Sequence, residues 1–272
     1  MKKDSQLPAK VSVHPAGNDF FTTMPCLLPS DKERFGVKVV SRILGRTPSL
    51  SSDILLYNSA NGELLALINA DWITSMRTGA VATLAIKTLR SSSARKYSFI
   101  GLGNTARATL LCLLSSFPDE IFQVVLFRYK DQAEYFIDYF RTFGNVVFSV
   151  VDTMEELVED ADVLVSCITD ADGLLIGNDA LFKPGILLVP VHTRGFQNCD
   201  LFFDKVFADD TEHVRSFRYF NQFKWFNEIG DVLDGTCRGR ENDKERILSY
   251  NIGLGLHDVF FASNIYDMIT NR

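Results

Sequence analysis

The sequence predicts an α/β protein: a doubly wound parallel sheet, with a second, α+β domain drawn from both chain ends. Three observations predict it. A glycine turn, Gly101-Leu102-Gly103-Asn104-Thr105-Ala106, lies between two short apolar runs, Tyr97 to Ile100 and Val124 to Phe127. Strand-like runs and helical patterns alternate from there to Ala208, as in a parallel sheet with crossover helices. A hairpin-like stretch precedes this unit and an apolar, helix-like stretch follows it, so one discontinuous domain accommodates both.

In chain order, residues 1–10 read as a loose terminus, and VSVHPAGNDFFTTMPCLLPS as short strands and turns. Val37 to Ile43 is strand-like, with Lys38 inside it. Ile54 to Tyr57 and Leu64 to Ile68 flank an Asn-Gly turn and predict a hairpin. Asp71 is the expected cap of a helix carrying Trp72, Ile73, Met76, Ala80, Leu84 and Ala85 at three- and four-residue steps. Arg77 and Thr78 fall near its first turns, and Ser91-Ser92-Ser93 marks a linker.

The glycine stretch then reads as strand, turn, helix, strand, with Ala106 in place of a third glycine: the dinucleotide-binding unit of Rossmann-type folds. Gly101 permits the tight turn, Gly103 lets the backbone approach a pyrophosphate, and Ala106 keeps helix and strand close. The helix start at Asn104 and Thr105 offers free N–H groups and a positive dipole end. Beyond it, Asp131 to Phe143 reads as helix, Val146 to Val151 as strand, Met154 to Asp160 as a short helix, and Val163 to Ser166 as strand. Ile186 to Val191 and Lys205 to Ala208 are the last expected strands. Phe217 to Leu233 is expected to be helical, Cys237 to Lys244 a loop, and Arg246 to Ile269 a helix broken near Gly253 and Gly255. The predicted domains are residues 1–90 with 245–272, a discontinuous domain whose substrate-binding and dimerisation roles rest on the family resemblance given below, and residues 91–244, for the dinucleotide.

Composition narrows the class. The 272 residues are 46% hydrophobic and 23% charged, as in a globular protein with a sizeable core. A net charge of -6 argues against a nucleic-acid surface. No apolar run approaches the ~20 residues of a membrane span, and the N-terminus lacks a secretory core, so a cytoplasmic location is expected. The five cysteines form no C-x-x-C pair and the four histidines have no ligand spacing, so neither a disulfide framework nor a metal site is expected. Asp209-Asp210 with Glu212-His213 reads as a solvated loop rather than a metal cluster.

Several stretches together resemble the ornithine cyclodeaminase/mu-crystallin family: Met24-Pro25, Gly36-Val37-Lys38, Met76-Arg77-Thr78-Gly79-Ala80, the turn at Gly101, Ala161-Asp162-Val163 through Thr169, Lys183-Pro184-Gly185, and Ile252-Gly253-Leu254-Gly255-Leu256-His257-Asp258. The order of these pieces is what carries the resemblance, which covers Met24 to Tyr266. It implies binding of NADP(H) or NAD(H), chemistry at the carbon–nitrogen bond of a small amino or imino acid, and a homodimer. It also matches Lys38 and Arg77 to the basic pair that holds a substrate carboxylate, a role suited to a planar fork beside a point charge. Thr169 falls on the cofactor side.

Three departures from the family pattern stand out. One or two N-terminal helices usual in the family are missing; Val13-His14-Pro15 occupies a neighbourhood where an Arg is frequent; and His192 occupies the catalytic Asp position of the cyclodeaminases. A carboxylate attracts an ammonium and can take its proton; an imidazole attracts it less but can donate a proton. Lys38 and His192 are therefore the candidate catalytic residues. The expected activity is hydride transfer to or from a small amino or imino acid, with ornithine cyclodeamination, or cofactor binding without turnover, as the alternatives. The second strand of the unit ends in Phe127-Arg128-Tyr129-Lys130, with no acid for a ribose hydroxyl, so Arg128 is expected on a 2′-phosphate and NADPH is expected to bind more tightly than NADH.

Overall fold

The computed structural model of the chain describes residues 2–168, 171, 173–192, 196 and 199–270. They divide into two compact units, residues 1–77 with 253–272 and residues 78–252.

The first unit is a five-stranded antiparallel sheet in the order β1 to β5: Val11–Val13, Phe20–Leu27, Arg34–Arg42, Leu50–Asn58 and Leu64–Asn69. Burial alternates along β2 (Phe20–Leu27) and β3 (Arg34–Arg42), the period of a sheet with one covered face. The cover is the C-terminal helix α7 (Gly255–Thr270), whose Val259 joins Cys26, Leu28 and Leu56 in one cluster. The approach is close: a Cβ on Gly36 of β3 would lie 2.7 Å from Val259 Cγ2. The hairpin expected around the Asn-Gly turn is β4 and β5, and Asn58 closes it by accepting from the N–H groups of Ala60 and Asn61.

The first helix, α1 (Asp71–Leu89), begins at the expected residue, but Asp71 does not cap it. Its carboxylate instead accepts from the Ser52 N–H at 2.6 Å and from Ser51 Oγ at 3.2 Å, because the pairing of β4 and β5 brings those donors beside it.

The second unit is an eight-stranded sheet whose neighbouring strands all run parallel. Six strands follow the expected course: β6 (Lys96–Ile100), β7 (Phe122–Phe127), β8 (Val146–Val151), β9 (Val163–Ser166), β10 (Leu187–Pro190) and β11 (Lys205–Ala208). The helices α2 (Asn104–Ser116), α3 (Gln132–Tyr139) and α4 (Met154–Val158) lie between them in sequence. The spatial order is β8-β7-β6-β9-β10, so the strand order reverses between β6 and β9. In such sheets that reversal is where the carboxyl ends of two strands part to admit a ligand.

Two expectations fail here. Phe217 to Leu233 is not one helix: it holds a short 3-10 turn, then β12 (Phe226–Glu228) and only a five-residue α6 (Ile229–Leu233). Its mixed faces fit a strand that pairs β11 at the sheet edge better than a helix. Residues after Arg246 are likewise not all helical, because β13 (Ile247–Tyr250) inserts between β10 and β11. A four-residue run, Ile247-Leu248-Ser249-Tyr250, that is buried on both faces has no period, so sequence alone does not separate it from buried helix. Lys205 to Ala208 is therefore not the last strand. For the same reason the units divide at 77/78 and 252/253 rather than at 90/91 and 244/245: β13 belongs to the parallel sheet, and Ala82, Ile86 and Leu89 of α1 share its core.

Among the described residues no helix is long and apolar enough to cross a membrane. Glycine placement yields a stability prediction. A Cβ on Gly79 would lie 2.5 Å from the Ala108 backbone, and one on Gly101 (φ +78°) would lie 2.5 Å from the Cys167 backbone. A Cβ on Gly103 meets nothing within 4 Å. Gly79→Ala and Gly101→Ala are each expected to cost ~2 kcal/mol or more, against about 1 kcal/mol or less for Gly103→Ala. Urea denaturation checks this, and equal losses at all three positions would contradict the packing.

Candidate functional site

Two sets of residues carry chemistry, one in each unit. In the first unit Lys38 lies in the middle of β3, on its inward face and opposite Met24 of β2. It is 1% exposed. Arg77, two turns into α1, is also buried. Both reach the same carboxylate, that of Asp258 in the first turn of α7, which is itself fully buried. Arg77 Nε donates to Asp258 Oδ1 at 2.8 Å. Lys38 Nζ stands 2.8 Å from Asp258 Oδ2, an ion pair held by charge and distance rather than by a well-aligned hydrogen bond.

Two cations share one anion in a dry site. Burial first, and then the Arg77 guanidinium, push the Lys38 ammonium down to about 7 against the opposing pull of Asp258. Burial by itself would raise the Asp258 carboxyl, but Arg77 and Lys38 outweigh it and hold the group below the usual carboxylate range. The thiol of Cys26 is pushed up to about 12 by burial and by the Asp258 charge, so it stays neutral. Arg77 Nη1 is buried and has no hydrogen-bond partner among the described residues. A buried guanidinium nitrogen without a partner is costly, and such a group fits an incoming anion.

In the second unit the turn after β6 has the form expected of a phosphate cradle. Gly101 takes a left-handed φ of +78°, and the Gly103 N–H donates back to the Gly101 carbonyl at 2.9 Å. The chain then enters α2 at Asn104, with no acidic residue in its first turn. The first N–H groups of any helix lack partners within it, and the open space at Gly103 lets a bulky anion reach them. Ala106 is fully buried in the sheet's core, as close helix–strand packing requires. These residues fit a dinucleotide's phosphates.

Arg128, just beyond β7, is half-exposed and already engaged: Nε donates to Asp152 and Nη1 to Glu134, each at 2.8 Å. Those two acids raise its pKa, Asp152 more than Glu134. His192 lies two residues past β10, and its Nε2 is 2.6 Å from the Oγ of the fully buried Ser166. Parallel pairing of β9 and β10 sets Pro190 opposite Ser166 and so brings the imidazole to it. Thr169 lies outside the described residues. The stretch after β11 is not the expected solvated loop: Asp209 is buried and lies 3.3 Å from His213 Nδ1, and Asp210 caps a single helical turn, α5 (Thr211–Val214), by accepting from the Glu212 N–H.

The structure thus brings Lys38 and Arg77 together, and Gly101, Gly103, Asn104, Thr105 and Ala106 together. Sequence reasoning missed Asp258, Gly253 and Ser166. Asp258 and Gly253 lay inside the Ile252-to-Asp258 motif; the signal was a lone acid at the start of an apolar helix.

A model of the ornithine cyclodeaminase/mu-crystallin family matches residues 2–272. The chain belongs to this family. Among its relatives, the nodulation efficiency protein NfeD of Rhizobium meliloti is 27% identical over 96% of this chain and 83% of its own length. A Delta(1)-pyrroline-2-carboxylate reductase of Bacillus cereus is 27% identical over 86% of this chain and 77% of its own. The fold matches the Thermococcus litoralis Delta(1)-pyrroline-2-carboxylate reductase, a complex with NADH and L-proline, at TM-score 0.86 and 23% identity, covering 99% of this chain and 89% of that one. It also matches an archaeal alanine dehydrogenase dimer with bound NAD, at TM-score 0.85 and 24% identity, covering 100% of this chain and 88% of that one.

The buried amine gives a pH prediction. Lys38 releases its proton near 7 in the folded chain and near 10.5 when unperturbed, so the unfolded chain holds more protons between those values. Its contribution to stability is therefore most favourable above about 10.5 and is lost as pH falls toward 7. Wild-type stability in urea is expected to rise from pH 7 to pH ~9.5 relative to Lys38→Met. Parallel pH profiles for the two proteins would contradict the buried, lowered amine.

Proposed function

We propose that the protein is an NAD(P)-dependent oxidoreductase that moves a hydride at the α-carbon of a small amino or imino acid. The observation that carries this reading is the buried Lys38–Arg77–Asp258 group. With Lys38 protonated it holds two positive charges against one negative, and Arg77 Nη1 is left without a partner among the described residues. A fixed, dry, net-positive site is what a small carboxylate requires, and it rejects neutral or cationic analogues because its own charge would then stay unpaired. The names of the family's members point to the same substrate class.

When bound, a nicotinamide supplies or takes the hydride; the N-terminus of α2 and the Gly101–Gly103 turn are proposed to hold its pyrophosphate. Arg77 offers the carboxylate a planar pair of donors and Lys38 a point charge. An amine lowered to about 7 is also matched to proton transfer at neutral pH, which fits a catalytic role for Lys38 beside its binding role. His192 is proposed to handle the proton of the substrate nitrogen, with Ser166 fixing the orientation of its ring. The protein is proposed to be a cytoplasmic homodimer; exposed apolar side chains on the first unit, Leu44, Leu67 and Trp72 among them, support the dimer.

The two carboxylates on Arg128 bear on cofactor choice. A 2′-phosphate must compete with Asp152 and Glu134 for the guanidinium and approach their charges. The preference for NADPH that Arg128 suggests in the sequence is therefore expected to be small, about tenfold or less. It should widen when Asp152→Asn and Glu134→Gln are combined. Fluorescence titration of both cofactors reads this directly; a strong NADPH preference that the double variant leaves unchanged would remove the claim.

His192 separates this reading from cyclodeamination. An imidazole in place of a carboxylate attracts a side-chain ammonium weakly, so little ornithine should be converted to proline and ammonia with catalytic NAD. Reduction of Delta(1)-pyrroline-2-carboxylate with stoichiometric loss of nicotinamide absorbance is the expected activity, and His192→Ala should lower it ~10²-fold or more. Robust ammonia release from ornithine would restore the cyclodeaminase reading.

A further inference from the structure

We propose that Asp258 is a positioning residue for the carboxylate-binding pair: it holds Arg77 by its Nε edge and Lys38 by its ammonium, so that the Nη1 end of the guanidinium is presented to the substrate, and Gly253 is the backbone position that makes room for that end. The proposal rests on the amino- or imino-acid reading above.

A guanidinium has more than one edge. Asp258 Oδ1 occupies the Nε edge at 2.8 Å. Nη1 is buried and, among the described residues, without a partner. Asp258 therefore fixes the plane and direction of the guanidinium without consuming the end that an external carboxylate would use. Without such an anchor, a long side chain samples several rotamers and loses entropy on each binding event.

Gly253 supplies the second observation. Its φ is +93°, in the left-handed region that side-chain-bearing residues rarely adopt. A Cβ there would lie 1.9 Å from Arg77 Nη1, 2.8 Å from Cζ and 3.0 Å from Nη2. The absent side chain is thus filled by the guanidinium itself. Gly253 and Asp258 stand five residues apart in one motif. One clears the Nη1 end and the other holds the Nε edge.

The same carboxylate governs Lys38. Besides burial, the groups that act on its ammonium are Arg77 and Lys10, which lower its proton affinity, and Asp258, which raises it. The neighbouring thiol, Cys26, is uncharged and adds no field. With Asp258 neutralised, only the two lowering charges remain. Lys38 would then lose its proton at a lower pH, and the site would lose both an anchored fork and a charged amine.

Asp258→Asn tests this with two readouts on the full chain. NMR titration of the Lys38 side chain, identified by its absence in Lys38→Arg, is expected to give a midpoint near 7 in the wild type and at least tenfold lower proton affinity in the variant. Calorimetry with L-proline and saturating NADH should show at least tenfold weaker L-proline binding, with NADH affinity unchanged. An unchanged Lys38 midpoint together with unchanged L-proline affinity would overturn the proposal. If the wild type fails to bind L-proline, the substrate reading fails, while the Lys38 titration still judges Asp258.

Should Asp258→Asn not fold, the wild type alone decides. The Arg77 Nε–H resonance should resist solvent exchange in the free protein. A rapidly exchanging Nε–H would mean that Asp258 does not hold the edge and would sink the idea. Gly253→Ala provides an independent arm: a Cβ there displaces the guanidinium, so it should weaken L-proline binding at least tenfold. Full L-proline affinity in that variant would show that Gly253 has no part in seating the guanidinium.

Discussion

One buried carboxylate, that of Asp258, is the constraint on which the first unit depends. Arg77 and Lys38 come from a helix and a strand far apart in sequence, and like charges this close repel in a dry interior. Only an anion shared between them makes the arrangement tolerable. Removing one partner of such a buried pair costs roughly 3–5 kcal/mol, so the ion pairs tie α7, α1 and β3 to a single register. The same constraint sets the electrostatics. Asp258 stays ionised despite its burial because two cations face it, and Lys38 is loosely protonated because it is buried and because Arg77 is its neighbour.

The backbone around this group is shaped to permit it. Gly36 lets α7 settle on β3, Gly253 leaves room for the Arg77 guanidinium, and Gly79 lets α1 pack against α2 through the Ala108 backbone. The run Arg77-Thr78-Gly79-Ala80 therefore serves two purposes on one helix: its first residue delivers charge and its third delivers close packing. Such glycines cost conformational entropy, and each is used where a Cβ would strike a neighbour: the Val259 side chain at Gly36, the Arg77 guanidinium at Gly253 and the Ala108 backbone at Gly79.

The dinucleotide turn follows a comparable division of labour. Gly101 is required by the strand beside it, since a Cβ would strike the Cys167 backbone, whereas Gly103 is required by nothing in the protein itself. A glycine that packing does not demand, at the mouth of a helix with no acid in its first turn, leaves the N–H groups there open to an anion. Arg128 is the counter-case. Read alone it is a cation awaiting a phosphate; in the fold it already answers Asp152 and Glu134, both exposed, in a network whose individual pairs contribute little.

Read alone, the sequence showed the sheet class and the glycine turn, and its resemblance to the family pointed to the basic pair. Strand-and-helix alternation, a glycine turn between apolar runs, and the order of short motifs are local signals, and local backbone chemistry suffices to read them. It misplaced β12 and β13, because β12 is a three-residue, half-buried edge strand and β13 a four-residue run buried on both faces, too short to show a period, and both are fixed by pairing with other strands. It took Asp71 for a cap, because only the hairpin's register reveals the Ser52 N–H as a better donor. The partners of charge come from packing: Lys38 and Arg77 converge on Asp258, Arg128 is already paired, and His192 rests on Ser166. Charge pairing acts through space, and residues 38, 77 and 258 become neighbours only when a strand and two helices have packed.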